Sequence, residues 1–98
     1  MVKIEEPSDY DRLDALVQRL TKAHGLKLDV NGWARKTYDV YTTSADLGPE
    51  TKVARLDSHT TVSGELTLFD DEGLAFVQEL GAEIEKQFAV AEARIKRQ

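Results

Sequence analysis

The sequence contains no cysteine among its 98 residues. This absence excludes disulfide bonds, thiolate nucleophiles and zinc sites that use cysteine ligands. Small secreted domains usually depend on disulfides, so we expect an intracellular, cytoplasmic protein. No apolar run approaches the roughly 20 residues that a membrane-spanning helix requires. The acidic beginning of the chain also lacks the apolar segment of a secretory signal, so the sequence predicts neither an anchor nor an export signal.

Glycine and histidine are also scarce, and neither forms a recognisable motif. The six glycines are scattered, so the sequence has neither a phosphate-binding loop nor a dinucleotide-binding fingerprint. His24 and His59 each lie among polar residues at a helix end or a turn, where a solvated side chain is expected. Asp57, Ser58 and His59 are the residue types of a hydrolase triad, but adjacent residues cannot adopt its geometry. We predict no catalytic residue, no cofactor and no metal site.

Negative charge predominates, since 18 acidic and 13 basic residues give a net charge of −5 at pH 7. This balance disfavours binding to phosphate backbones, and we expect no nucleic-acid partner. One segment, GWARKTYDVYTT, interleaves aromatic and basic residues as single-strand binders do. It also contains Asp39, and its composition is typical of a β-strand. An acidic surface suits solubility, or docking onto a basic protein.

Residues 8–24 have the pattern of an amphipathic helix. Ser8 is a suitable N-cap, and Gly25 can take the left-handed conformation that ends a helix. Apolar side chains recur between them at spacings of three and four: Tyr10, Leu13, Leu16, Val17, Leu20 and Ala23. This stripe predicts a helix with one buried face.

Four segments after this helix predict β-strands, because their apolar residues alternate or they are rich in β-branched and aromatic residues. They are 26–30, 33–43, 51–57 and 61–69. In the third segment Ala54 and Leu56 are expected to face inward and Val53 and Arg55 outward. In the fourth, the residues expected to face inward are Val62, Gly64, Leu66 and Leu68.

The first two strands are joined by Asn31-Gly32, a strong hairpin signal. A three-residue loop, Asn31-Gly32-Trp33, collects the apolar residues of both strands on one face. This register sets Val30 opposite Ala34 and leaves Trp33 near the hairpin tip. It also turns Lys36 toward the buried side, from which its long side chain must extend to solvent.

Four strands between two helices predict an α+β fold comprising one domain, residues 1–98. The expected architecture is a two-layer sandwich in the order α-β-β-β-β-α, with both helices on one face of a four-stranded antiparallel sheet. Short connections favour a meander. The other face of the sheet is expected to be polar and solvated, with Lys27, Asp29, Arg35, Thr37, Asp39, Arg55, Ser63, Glu65 and Thr67.

The last predicted helix is long for so small a chain. An apolar stripe steps by four and three to the end of the sequence: Val77, Gly81, Ile84, Phe88, Ala91 and Ile95. A helix from about Asp71 to Lys96 would be roughly 39 Å long, whereas strands of six residues span only ~20 Å. The stripe is therefore expected to extend past its own sheet and to be covered by another surface.

These patterns favour a non-catalytic protein-binding module that binds another protein or a second copy of itself. The four-three alternation suits helix pairing, so we expect a homo-oligomer formed through the last helix. A tryptophan at a hairpin tip is a common interface anchor. The predicted interface residues are Trp33, Ile84, Phe88, Ala91 and Ile95.

Two alternatives stay open. An acidic inhibitor or immunity-type protein would cover a basic site on a nuclease or toxin, and the net negative charge supports it. A small-molecule binder or enzyme would use a pocket between sheet and helices, lined by Tyr38, Tyr41 and His59. The sequence identifies neither the partner nor the biological process in which the protein acts.

Overall fold

The computed structural model describes residues 7–33, 36–48, 50–58, 65–88 and 94–97. Two helices pack on one face of a sheet, as expected for the predicted α+β sandwich. The elements are α1 (Pro7–Ala23), β1 (Lys27–Gly32), β2 (Lys36–Tyr41), β3 (Lys52–Asp57), β4 (Glu65–Leu68), a 3₁₀ turn (Asp71–Gly73), α2 (Leu74–Phe88) and β5 (Arg94–Arg97).

The sheet has the order β1-β2-β3-β4-β5. The first four strands form the predicted antiparallel meander, and β5 adds a fifth strand parallel to β4. Helix α2 is therefore the crossover of a β4-α2-β5 unit. The buried core joins the apolar stripes of both helices to one face of the strands. Its members are Leu13, Leu16, Val17, Leu20, Tyr38, Val40, Val53, Ala54, Leu56, Leu66, Leu68, Phe76, Val77, Leu80 and Ile84.

The prediction of a helix continuing to about Lys96 is wrong. Helix α2 ends at Phe88, and Ile95 lies in β5 in register with Leu66. A helix of 15 residues is about 22 Å long, which is close to the ~20 Å that the six-residue strands β1, β2 and β3 of the sheet span. Beyond that length a helix would leave the sheet, whereas a returning strand pairs its backbone with β4. The short stretch RIKR alternates well enough to serve as that strand.

The faces of the β1–β2 hairpin are as predicted, but its loop is not. Val30 lies opposite Tyr38, and Gly32 lies opposite Lys36, so residues 33–35 connect the strands instead of residues 31–33. The observed register differs from the predicted one by an even number of residues, and such a shift leaves every side chain on its predicted face. Ala34 lies outside the described residues.

Val53 was expected to face outward, and this expectation is wrong. Val40 pairs with Ala54 while Tyr41 pairs with Lys52, so Val53 is the extra residue of a β-bulge. Its carbonyl accepts hydrogen bonds from the N–H groups of Phe69 and Asp70, at 2.9 and 3.3 Å. Val53 is fully buried. The bulge thus joins β3 to the segment that leads into α2.

Gly73 is required by this contact. A Cβ atom at position 73 would lie 2.9 Å from the carbonyl oxygen of Val53, which is closer than real Cβ contacts allow. The 3₁₀ turn before it is capped by Asp70, whose carboxylate accepts from the N–H of Glu72 at 2.9 Å. This turn sets the direction of α2. Among the described helices, no segment is both long and apolar enough to cross a membrane.

Candidate interaction surface

Trp33 lies at the tip of the β1–β2 hairpin, and 93% of its surface is exposed. It is the single tryptophan of the chain. A tryptophan buries roughly 150–250 Å² when it is covered, and at about 25 cal/mol per Å² this corresponds to about 4–6 kcal/mol before the costs of association. The prediction of Trp33 near the hairpin tip agrees with this position. Its indole ring is therefore the largest apolar group that the described surface offers to a partner.

The other predicted interface residues do not join Trp33 on one helical stripe. Ile84 is completely buried in the core of its own chain, so it is not exposed for a partner. Phe88 is the last residue of α2, Ile95 lies in β5, and Ala91 lies outside the described residues. The stripe is interrupted because the helix ends where the sheet ends.

Strand β1 is one edge of the described sheet, and the direction of its backbone groups can be worked out. Lys36 of β2 directs both of its backbone groups toward β3: its carbonyl accepts from the N–H of Ser58 at 3.1 Å, and its N–H donates to Ser58 Oγ at 3.0 Å. Successive residues of an antiparallel strand direct their backbone groups to opposite sides, so the odd-numbered residues of β2 direct theirs toward β1. Their hydrogen-bonded partners on β1 are its odd-numbered residues. Leu28 and Val30 consequently direct their N–H and C=O groups toward the open edge.

The side chains of β1 alternate between the two faces of the sheet. Leu28 and Val30 are half-buried against the core, while Lys27 and Asp29 are exposed on the opposite face. This edge therefore combines unpaired backbone groups, partly covered apolar side chains and two opposite charges. Unpaired edges of this kind are templates for another strand.

The charges near β1 are not balanced locally. Asp29 lies directly opposite Asp39 of β2, and like charges in that position repel. Asp39 interacts with both nearby cations, at 2.8 Å from Arg55 Nε and 3.3 Å from Lys52 Nζ. Neither Lys27 nor Asp29 forms an ion pair with the residues that the structure describes.

The polar face of the sheet is less solvated than predicted. Asp39 and Thr67 are each only 6% exposed, and the long side chains of Lys52 and Arg55 form ion pairs with Asp39. The hydrogen bond to Asp39 raises the pKa of Arg55 further above its ordinary value. Asp39 is thus a structural residue, and the free charges of this face are nearer the edge.

Tyr38 has a perturbed acidity but no accessible site around it. Burial raises the pKa of its phenol well above its ordinary value, and the charge of Asp14 and the hydrogen bond to it act in the same direction. The hydroxyl donates to Asp14 Oδ1 at 3.1 Å, and the residue is 1% exposed. Lys36 extends from the buried face toward the same carboxylate, with Nζ 3.5 Å from Asp14 Oδ1, which agrees with the prediction for its side chain. This group of three joins α1 to β2.

The residues predicted to line a small-molecule pocket are not brought together among the described residues. Tyr38 is in the core, and Tyr41 lines a shallow groove of about 300 Å³ with Lys27, Leu28, Asp29 and Glu50. His59 lies outside the described residues. His24 is half-buried instead of fully solvated, with its ring edge-on to Phe76 at 5.8 Å and its Nε2 atom 3.5 Å from Glu79 Oε2.

A second groove of about 280 Å³ lies between the helices and is lined by Arg12, Ala15, Leu16, Arg19 and Gln87. Arg12 donates to the carbonyl of Gln87 at 3.0 Å, so it satisfies one of the free carbonyls at the end of α2. This arginine has a structural role at the helix terminus. In the part of the chain that the structure describes, no three histidine, aspartate or glutamate side chains are grouped as metal ligands.

Comparison with known proteins identifies no matching family model, no similar curated protein and no similar solved structure. The geometry of this chain is therefore what indicates its function. The edge of β1 was not predicted as an interaction site from the sequence. The predicted meander already places β1 at an edge, and the alternating charges of Lys27 and Asp29 were visible there, but the sequence did not show which residues of β1 direct their backbone groups to that edge.

Proposed function

We propose that this chain is a small protein-binding module that self-associates in the cytoplasm through its β1–β2 hairpin, with Trp33 as the anchor. The observation that carries the proposal is the 93% exposure of Trp33. Tryptophan is among the residue types that contribute most to the free energy of association when a partner covers them. The absence of cysteine supports a reducing compartment.

The hairpin supports this role better than the last helix. Ile84 contributes to the core of its own chain, and covering it with a partner would require the monomer to open. Trp33 needs no such rearrangement, because the indole is already exposed and the strands behind it are anchored in the sheet. A tryptophan side chain has only two rotatable bonds, so it loses little conformational entropy on binding.

Sedimentation velocity over a range of concentrations tests the proposal on the wild type, Trp33→Ala and Leu47→Ala. Leu47 is the matched control, because it is the other large apolar residue that the structure shows exposed, at 39%. It lies in the β2–β3 loop, at the opposite end of the sheet from the hairpin tip. We expect the wild type to associate, Trp33→Ala to raise the dissociation constant about 30-fold, and Leu47→Ala to leave it nearly unchanged.

Intrinsic fluorescence gives an independent readout, since Trp33 is the single fluorophore of its type. Association should shift its emission to the blue and protect it from acrylamide as concentration rises. A wild type that stays monomeric, with Trp33 fully quenchable at the highest concentration, would refute self-association through the hairpin. An equal effect of Leu47→Ala would refute the role of Trp33 as the anchor.

A further inference from the structure

We infer that the partner of this surface is a second copy of the chain, joined through antiparallel pairing of the two β1 strands with Leu28 opposite Leu28. The inference rests on the proposed function, since it gives the geometry of the self-association proposed there. The two-fold axis is perpendicular to the sheet and passes between the two Leu28 residues. Both copies then have their helices on the same face of one continuous ten-stranded sheet.

The backbone of β1 fits this arrangement. Leu28 and Val30 direct their N–H and C=O groups to the open edge, so Leu28 exchanges two hydrogen bonds with Leu28 of the second copy. Val30 donates to the carbonyl of Leu26 of the second copy, and the symmetry repeats this bond. Leu26 already donates its own N–H to the carbonyl of Thr21 at 3.0 Å, so the ladder ends there.

The side chains select the register. Directly opposed residues of an antiparallel pair lie on the same face, so the helix-side face brings Leu28 to Leu28 and Leu26 to Val30. The opposite face brings Lys27 of each copy to Asp29 of the other, which forms two ion pairs. Lys27 and Asp29, which form no ion pair with the described residues, each obtain a partner from the second copy, and the repulsion between Asp29 and Asp39 is relieved.

Neighbouring registers lose this complementarity. A shift that opposes Asp29 to Asp29 brings two carboxylates together, and a shift that opposes Lys27 to Lys27 brings two ammonium groups together. A shift centred on Val30 pairs Lys27 with Trp33 and Asp29 with Asn31, so neither charge is neutralised. Like charges in directly opposed positions are destabilising, and the edge therefore favours one alignment of two copies.

The other described edge does not offer the same fit. Strand β5 has the sequence RIKR, with three cations and no anion. Antiparallel pairing of two such strands brings cations together in every register that preserves the faces. Charged residues of one sign on an edge are a recognised protection against strand pairing.

The register also explains the position of Trp33. When the pairing is centred on Leu28, the two chains also lie side by side beyond the last hydrogen bond. The hairpin tip of each copy is then beside the α1–β1 turn of the other, near His24 and Gly25. Trp33 thus reaches the second copy at both ends of the interface. Covering the two indole rings adds to the apolar area that the dimer buries, beyond what the two strand edges bury alone.

A charge exchange tests the register. The variants are Lys27→Asp, Asp29→Lys and the double variant K27D/D29K, measured by sedimentation velocity at low ionic strength with circular dichroism as the check on folding. Each single variant replaces two attractive pairs by two repulsive ones, and we expect its dissociation constant to rise about tenfold or more. The double variant restores opposite charges in the same positions, so it should associate as the wild type does.

Mixing the two single variants provides the sharpest result. A K27D copy carries two carboxylates and a D29K copy two ammonium groups, so only the mixed pair is complementary, and we expect a heterodimer from two weakly associating samples. If the mixture stays as weak as its components while Trp33→Ala still disrupts the wild type, the β1 register is wrong and the proposed function stands. If the charge exchange succeeds while Trp33→Ala has no effect, the register stands and the anchor is wrong. A monomeric wild type overturns both.

Discussion

Replacing Ile84 with alanine tests whether this residue belongs to the core of its own chain or to an interface with a partner. The helical stripe in the sequence placed Ile84 on a surface for a partner, whereas its side chain is fully buried under the chain's own helices and sheet. If the buried position is correct, the substitution removes apolar contacts inside each monomer. Its main effect is then on the free energy of unfolding, and association is affected only through loss of folded protein.

The magnitude follows from complete burial. Large-to-small substitutions of this kind cost about 2–5 kcal/mol, because lost transfer free energy is added to the cavity left behind. For a domain of this length each 1 kcal/mol lowers Tm by roughly 4–8 °C. A loss of about 3 kcal/mol would therefore lower Tm by about 12–24 °C. Total stabilities of small domains are about 5–15 kcal/mol, so a variant that loses about 3 kcal/mol should remain folded, and its urea unfolding can be measured as well.

Thermal and urea unfolding of the wild type, Ile84→Ala and Leu47→Ala provide the measurement. Leu47 is again the control, because its exposed side chain should contribute well under about 1 kcal/mol. Samples are compared at a concentration where all are monomeric, so that association does not add to the apparent stability. An Ile84→Ala variant with an unchanged Tm and weakened association would refute the assignment of Ile84 to the core.

Two further substitutions test other parts of the fold. Gly73→Ala should destabilise the chain by about 1–3 kcal/mol, since the new Cβ would meet the carbonyl of Val53 at 2.9 Å; urea unfolding measures this, and a neutral result would contradict the close approach of the bulge. The phenol of Tyr38 has a raised pKa in the folded state. At a pH above about 10, the ordinary pKa of tyrosine, unfolding therefore releases its proton. Stability should then fall by about 1.4 kcal/mol per pH unit above about pH 10, and Tyr38→Phe should remove this slope in urea unfolding measured at several alkaline pH values. A slope that persists unchanged in Tyr38→Phe would assign it to another group.

The sequence was sufficient to predict the elements whose signals are local. The stripe of α1 and the positive φ of Gly25 at its end agree with the spacing of apolar residues and the glycine after it. The faces of β1 and β2 could be predicted because alternation identifies the buried side of a strand. The position of their loop could not, because Asn31-Gly32-Trp33 and residues 33–35 give the same faces.

Features that depend on distant contacts were not predictable in this way. Val53 turns inward because its carbonyl binds the segment before α2, and nothing in TKVARLD indicates that partner. The end of α2 depends on the length of the sheet, which sequence periodicity does not report. For the candidate site, Trp33 could be assigned to a hairpin tip and the predicted meander places β1 at an edge, but the direction of the backbone groups of β1 depends on the register of β2 against β3, which the sequence does not report.

The charges of the two edges also determine which kind of assembly is compatible with the fold. Pairing β1 with β5 of another copy would repeat head to tail and build an open filament. Two cations of β5 form ion pairs, with Lys96 Nζ 3.9 Å from Glu65 Oε1 and Arg97 Nη1 2.6 Å from Asp71 Oδ1, and Lys27 would meet further positive charge along that strand. Pairing β1 with itself instead uses Asp29 and Lys27 of both copies, neither of which forms an ion pair with the residues that the structure describes. Once the two β1 edges are joined, only the β5 edges remain outside, and the cations of their RIKR sequence disfavour the addition of further strands, which limits the assembly to two chains.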